Sequence, residues 1–239
     1  LAHAVVTVSG DVTVDTITVG ATAKAGLVKF TGATAGAGAV VGGDAAGGEE
    51  DSQIEIASNT YTGAVSLEED GAGDATLKLS GTTSEIVGAI TATGDGEGQV
   101  VAAGTTNSTF DAIGVAAGNK VQTATVNASS VATFGGAVSA NTLTITGTAT
   151  LQAASNASEV IAMGASSILH IDKTITNGQI VFSAIETTRP TLTAGAKIFM
   201  PENLSNGQTI IIYDEVGAAL ADHADTITET NAAIQDNAL

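Results

Sequence analysis

The chain has no cysteine and no tryptophan, only two prolines among 239 residues, and just 3% aromatic residues. Without cysteine there is neither a disulfide framework nor a thiolate metal site. Without large rings, the 44% of hydrophobic residues must build a core from Ala, Val, Ile, Leu and Thr. Such residues suit a narrow interior between β-sheets packed about 10 Å apart. Basic residues are scarce too: seven Lys and Arg stand against 25 Asp and Glu, a formal charge of −18. That balance argues against nucleic acid and anionic membrane surfaces as partners, and it fits a cation-rich extracellular setting. No apolar run approaches the ~20 residues of a membrane helix, so membrane insertion by this segment is not expected. Ala2-His3-Ala4 has the small-x-small form of a leader cleavage site, a form that an Ala-rich chain also produces by chance.

What is present is a repeat. A bulky apolar residue recurs every 24 positions at Ile86, Phe110, Phe134 and Phe182, and the slot at Ser158 is the one miss. A small residue follows each anchor at a short offset, as in Ile86-Val87-Gly88, Phe110-Asp111-Ala112, Phe134-Gly135-Gly136 and Phe182-Ser183-Ala184. Tyr61-Thr62-Gly63 and Phe30-Thr31-Gly32 precede them at spacings of 25 and 31. Val121, Ile145 and Leu169 keep the same step of 24. A period in this range marks stacked units that cannot bury an apolar face alone. Each period holds two or three short alternating or β-branched runs broken by Gly, Asn or Asp, which read as strands and turns. The expected fold is all-β, a β-solenoid resembling a parallel β-helix with about 24 residues per coil. Phe110, Phe134 and Phe182 are expected to form a buried ladder along its axis.

Three regions follow. Residues 1–20 form an N-terminal strand segment, with Val6, Val8, Val12, Val14, Ile17 and Val19 alternating against polar neighbours. Residues 21–200 form the solenoid body, interrupted by the acidic, Gly-rich stretch Gly42 to Asp51, which reads as a surface loop. Residues 201–239 hold a last strand, Thr209 to Tyr213, and a small cap in which Glu229 to Leu239 are expected to form a short helix, with Ala232, Ala233 and Ile234 on one side.

The alternation of Thr, Ala and Val strands with Gly and Asn turns, as in Phe134-Gly135-Gly136-Ala137-Val138-Ser139-Ala140-Asn141-Thr142-Leu143-Thr144-Ile145, resembles the passenger regions of bacterial autotransporters, including rickettsial-type surface antigens. The stretch Met200-Pro201-Glu202-Asn203-Leu204 is similar to the C-terminal part of such passengers. The resemblance implies a secreted right-handed β-helix at the outer surface of a diderm bacterium, with adhesive or structural roles more often than catalytic ones.

Catalytic chemistry has little to work with. His3, His170 and His223 are isolated, and no Ser-His-Asp grouping or paired-His ligand spacing occurs. His170 should face outward from its strand. Arg189 is the only arginine, so the basic and aromatic residues of a carbohydrate-active solenoid are lacking. The acidic turns are the most informative polar feature. Asp70, Asp95 and Asn119 each lie nine positions after an anchor, so these turns should stack on one edge. Asp70, Asp95 and Glu97 are candidate calcium ligands, because calcium takes six to eight oxygens from carboxylates and carbonyls; the alternative is a solvated acidic edge, with no cofactor. Asn107, Asn127, Asn156 and Asn203 open Asn-x-Ser/Thr sequons. Val6, Val8, Val12, Val14, Ile17 and Val19 are candidate assembly residues, because an open β-edge without a basic gatekeeper recruits further strands. The sequence is therefore read as a secreted, non-enzymatic structural protein of the cell surface that assembles head to tail with copies of itself into a filament or layer. An adhesin passenger binding another cell, or a carbohydrate-active solenoid enzyme, is the alternative.

Overall fold

A computed structural model of the chain describes residues 5–20, 25–42, 51–69, 73–114, 118–154, 156–176, 178–185, 191–201, 210–215 and 233–235. Short runs of Val, Ile, Thr and Ala alternate between buried and outward positions, and each run becomes a strand of one of two long parallel sheets. The first sheet stacks β1 (Val5–Val8), β3 (Leu27–Phe30), β5 (Ser52–Ala57), β7 (Ala75–Ser80), β10 (Glu97–Ala102), β12 (Val121–Val126), β14 (Ser139–Ile145), β16 (Ala157–Met163) and β19 (Thr191–Leu192). The second stacks β2 (Val12–Val19), β4 (Thr34–Gly42), β6 (Thr60–Glu68), β8 (Thr83–Val87), β11 (Asn107–Phe110), β13 (Val131–Phe134), β15 (Thr148–Leu151), β17 (Ile168–Ile171), β20 (Lys197–Phe199) and β22 (Ala233–Gln235). Strands of the two sheets alternate along the chain through the solenoid, so the molecule is an all-β solenoid of about 23 residues per coil.

A third row of parallel pairings closes each coil. The C-terminal halves of β2, β4 and β6 align Ile17, Ala39 and Val65. Val65 pairs with Ile90 of β9 (Ile90–Ala92), and single bridges continue the row through Ile113 and Val138. Asn156 bridges to Phe182 of β18 (Ile180–Ile185), which pairs in turn with β21 (Ile211–Glu215). Glycine makes the corner into this row possible. Gly63 and Gly88 have φ of +144° and +145°, and a Cβ on either would strike the carbonyl oxygen of the glycine one coil earlier, Gly36 or Gly63. This corner is why a small residue follows Tyr61, Ile86, Phe110 and Phe134.

Inward rows form one continuous core. Tyr61 pairs with Ile86, and Phe110 pairs with Phe134, their rings stacked at 5.5 Å and 16°. The row continues to Leu151 and Ile171. The expected Phe ladder is thus correct for Phe110 and Phe134 and wrong for Phe182. That ring is buried, but on the third row. Phe30 lies in the first sheet, between Val8 and Ile56. The fixed period fails because coils change length: 24 residues separate Phe110 from Phe134, then 17 reach Leu151 and 20 reach Ile171. The step through Val121, Ile145 and Leu169 is likewise not a register: Val121 pairs with Ala140, Ile145 with Val126 and Met163, and Leu169 belongs to the second sheet. The expected C-terminal helix is also corrected. Ala233–Gln235 extend as a strand on β20, where a parallel edge remained to be paired. No helix occurs among the described residues.

Candidate functional site

The first rung is where apolar surface and open backbone coincide. Among the described residues, β1 and β2 are the outermost strands of the two sheets, each paired on one side only. Val6 sits in the inward row of Val28 and Ile54, and Val8 in that of Phe30 and Ile56. Ile54 is 2% exposed, whereas Val6, two rungs away in the same row, is 57% exposed. Val8, Val12, Val14 and Ile17 are partly covered, and only Val19 is buried. All six candidate assembly residues therefore line the same end of the rod, along inward rows that no further rung covers among the described residues. The alternation that marked them in the sequence is the alternation that turns them inward.

The acidic turns form a second candidate, along the edge between the third row and the first sheet. The turn holding Asp95 packs on the turn of the next coil: Lys120 N donates to Asp95 Oδ1 at 3.1 Å, and Asn119 Nδ2 donates to the carbonyls of Ala92 and Thr93 at 2.8 and 3.0 Å. Glu97 Oε2 accepts Gly94 N at 2.9 Å and, from the preceding coil, Glu69 N at 3.4 Å. Glu69 Oε1 accepts Ala75 N at 3.2 Å. Burial, with Asp74 and Glu97 close by, pushes the Glu69 carboxyl above its ordinary pKa. Asp95 and Glu97 lie in one turn, and Asp51 is exposed one coil away from Asp74, whose N–H it accepts. Asp70, Asp44, Glu49 and Glu50 lie outside the described residues. Among the described residues no group of three or more His, Asp or Glu is placed to hold a metal ion. The arrangement seen is a set of main-chain clips, each carboxylate holding a turn of its own or a neighbouring coil.

His170 faces outward, its ring stacked on Phe199 at 4.8 Å, and burial lowers its pKa. His3 and His223 lie outside the described residues. Of the sequons, Asn127 is exposed, while Asn107 bridges two coils by donating to Thr109 Oγ1 and accepting from Thr133 Oγ1. Asn203 is outside the described residues. Asn156 is fully buried. The outward ladder of the first sheet carries a second feature that sequence reading missed. Lys29, Glu55 and Lys78 stand in register on β3, β5 and β7, with Glu55 2.8 Å from Lys29 and 3.8 Å from Lys78. Their spacings of 26 and 23 hid them, since neither matches the period of 24.

No protein-family model, curated protein sequence or solved structure matches the chain.

Proposed function

We propose that this chain is a secreted, non-enzymatic structural protein of a bacterial cell surface, which self-associates through the end of the rod formed by β1 and β2. The observation that carries the reading is the first rung, where an inward apolar row and two strand edges meet that no described residue covers or pairs. Open edges of this kind add further strands, and main-chain hydrogen bonds with burial of alternate apolar side chains supply the affinity. The acidic composition, 25 Asp and Glu against seven Lys and Arg, supports an extracellular setting. Lysine on a strand edge blocks such pairing. The double substitution Val6→Lys with Val14→Lys should therefore leave the circular dichroism of the rod unchanged and abolish association in sedimentation velocity. An unsubstituted chain that stays monomeric at millimolar concentration would reject the reading.

A further inference from the structure

Strand β2 reads Val12-Thr13-Val14-Asp15-Thr16-Ile17-Thr18-Val19, nearly the same in both directions. Its exposure is symmetric as well: Val12, Val14, Ile17 and Val19 are the covered positions, and Thr13, Asp15, Thr16 and Thr18 are exposed. The centre of symmetry falls between Asp15 and Thr16, where the strand turns from the second sheet into the third row.

We propose that β2 pairs antiparallel with β2 of a second copy, so that two molecules join N-terminal end to N-terminal end about a two-fold axis through that turn. The proposal rests on the reading that the first rung is an assembly surface, and names which surface of the second copy meets it. With the axis between Asp15 and Thr16, Val12 lies opposite the partner's Val19 and Val14 opposite the partner's Ile17. Thr13 lies opposite the partner's Thr18, and Asp15 opposite the partner's Thr16. Inward rows thus meet inward rows, outward rows meet outward rows, and no like charges stand directly opposite. The axis is perpendicular to the rod, so the partner's second-sheet half runs under this copy's third-row half. The two cores become continuous, and the same rotation carries β1 onto its own copy, where Val6 gains a covering rung. An alternating strand tolerates this because a shift of one residue would set every apolar side chain outward.

Charge also selects this partner over a head-to-tail contact. The first rung carries Asp11 and Asp15 and no Lys or Arg, and among the described residues the strands at the opposite end, β19, β21 and β22, carry Asp214 and Glu215 and no Lys or Arg. Joining those two ends sets acid against acid, whereas the two-fold contact faces Asp15 with threonine. The two-fold contact is also closed: the same patch is used on both copies, and assembly stops at the dimer.

Two substitutions at one exposed position test the pairing. Thr16→Asp places a carboxylate opposite the partner's Asp15 twice per dimer, and Thr16→Lys places an ammonium there. Like charges opposite one another weaken a strand pair and unlike charges support it. In sedimentation equilibrium the unsubstituted chain should form a dimer that does not grow with concentration. Thr16→Asp should weaken it by about tenfold, and Thr16→Lys should hold or tighten it, with circular dichroism the same in all three. Because the chain lacks cysteine, Thr13→Cys protein mixed with Thr18→Cys protein should oxidise to a mixed disulfide dimer in preference to either homodimer. Assembly that grows past the dimer and ignores both Thr16 substitutions overturns this pairing while leaving the assembly reading intact. So does a dimer that ignores them and gives no Thr13–Thr18 cross-link. A chain that is monomeric at every concentration overturns both.

Discussion

Asn156 stands in the third row between Val138 and Phe182, in line with Ile17, Ala39, Val65, Ile90 and Ile113. Its Oδ1 accepts Val138 N at 2.7 Å, and its Nδ2 donates to the carbonyls of Ala153 and Val181, both at 2.8 Å. The side chain takes the place of a strand pairing that the shortened coil cannot make. Removing it leaves Val138 N–H and the Ala153 carbonyl without these partners, each at a cost of about 1–3 kcal/mol, while the Val181 carbonyl keeps the Asn156 N–H at 2.9 Å. Asn156→Ala should therefore lower stability by roughly 2 kcal/mol or more, read as a drop in the denaturant midpoint at unchanged slope. Asn127→Ala, on an exposed turn, should leave the midpoint within about 0.5 kcal/mol of the parent. In the sequence Asn156 was visible only as a sequon. The informative signal lay two residues away, in the failure of the repeat at Ser158. A missing anchor marks a coil whose length has changed, and a changed coil needs a polar group to satisfy the backbone it leaves unpaired.

Strands and ladders behave as units. Phe110 and Phe134 share one inward row and stack, while Phe182 lies on another row. Each Phe→Ala should cost about 3–5 kcal/mol. In double-mutant cycles, Phe110 and Phe134 should couple by about 0.5–1.5 kcal/mol, and Phe134 with Phe182 should be close to additive. Coupling of equal size in both cycles would reject the assignment of Phe182 to the third row. The outward ladder of β3, β5 and β7 gives an opposite pair of acid responses. Burial tends to raise the Glu55 pKa, but hydrogen bonds from Lys29 and Ser80 and the charges of Lys78 and Lys29 outweigh it and hold the carboxyl below its ordinary value. Glu55 thus contributes stability that is present above its unfolded pKa and lost as pH falls through the folded one. Glu69 is raised instead. Its contribution is present below the unfolded pKa and lost as pH rises through the folded one. In melting curves from pH 7 to 3, Glu55→Gln should make the acid loss of stability shallower than in the parent, and Glu69→Gln should make it steeper. Shifts of the same sign in both variants would contradict these assignments. None of this could be read before the registers were known, because Lys29, Glu55 and Lys78 meet only once coils of 26 and 23 residues are laid over one another.

For the molecule as a whole, class and average period were legible and register was not. Short alternating runs such as Ala75–Ser80 and Thr148–Leu151 name their own inward faces, and turn residues name the corners between them. Which residue stacks on which depends on corner length, and corners here add or drop residues without disturbing the strands they join. The steps along the inward rows range from 17 between Phe134 and Leu151 to 36 between Ile198 and Ile234. The candidate assembly end was legible for the opposite reason. Val6 to Val19 form the outermost rung, and alternation alone decides which side chains it turns inward. The uneven coils have a mechanical consequence. Hydrogen bonds between rungs run along the rod, so a pull on its two ends loads them in tension one rung at a time. Such a rod gives way by peeling, and an average coil of about 23 residues releases about 80 Å of extended chain at 3.3–3.6 Å per residue. Its resistance is that of the weakest remaining rung, however many rungs lie behind it, and a short coil pinned by Asn156 yields less slack than the longer coils on either side.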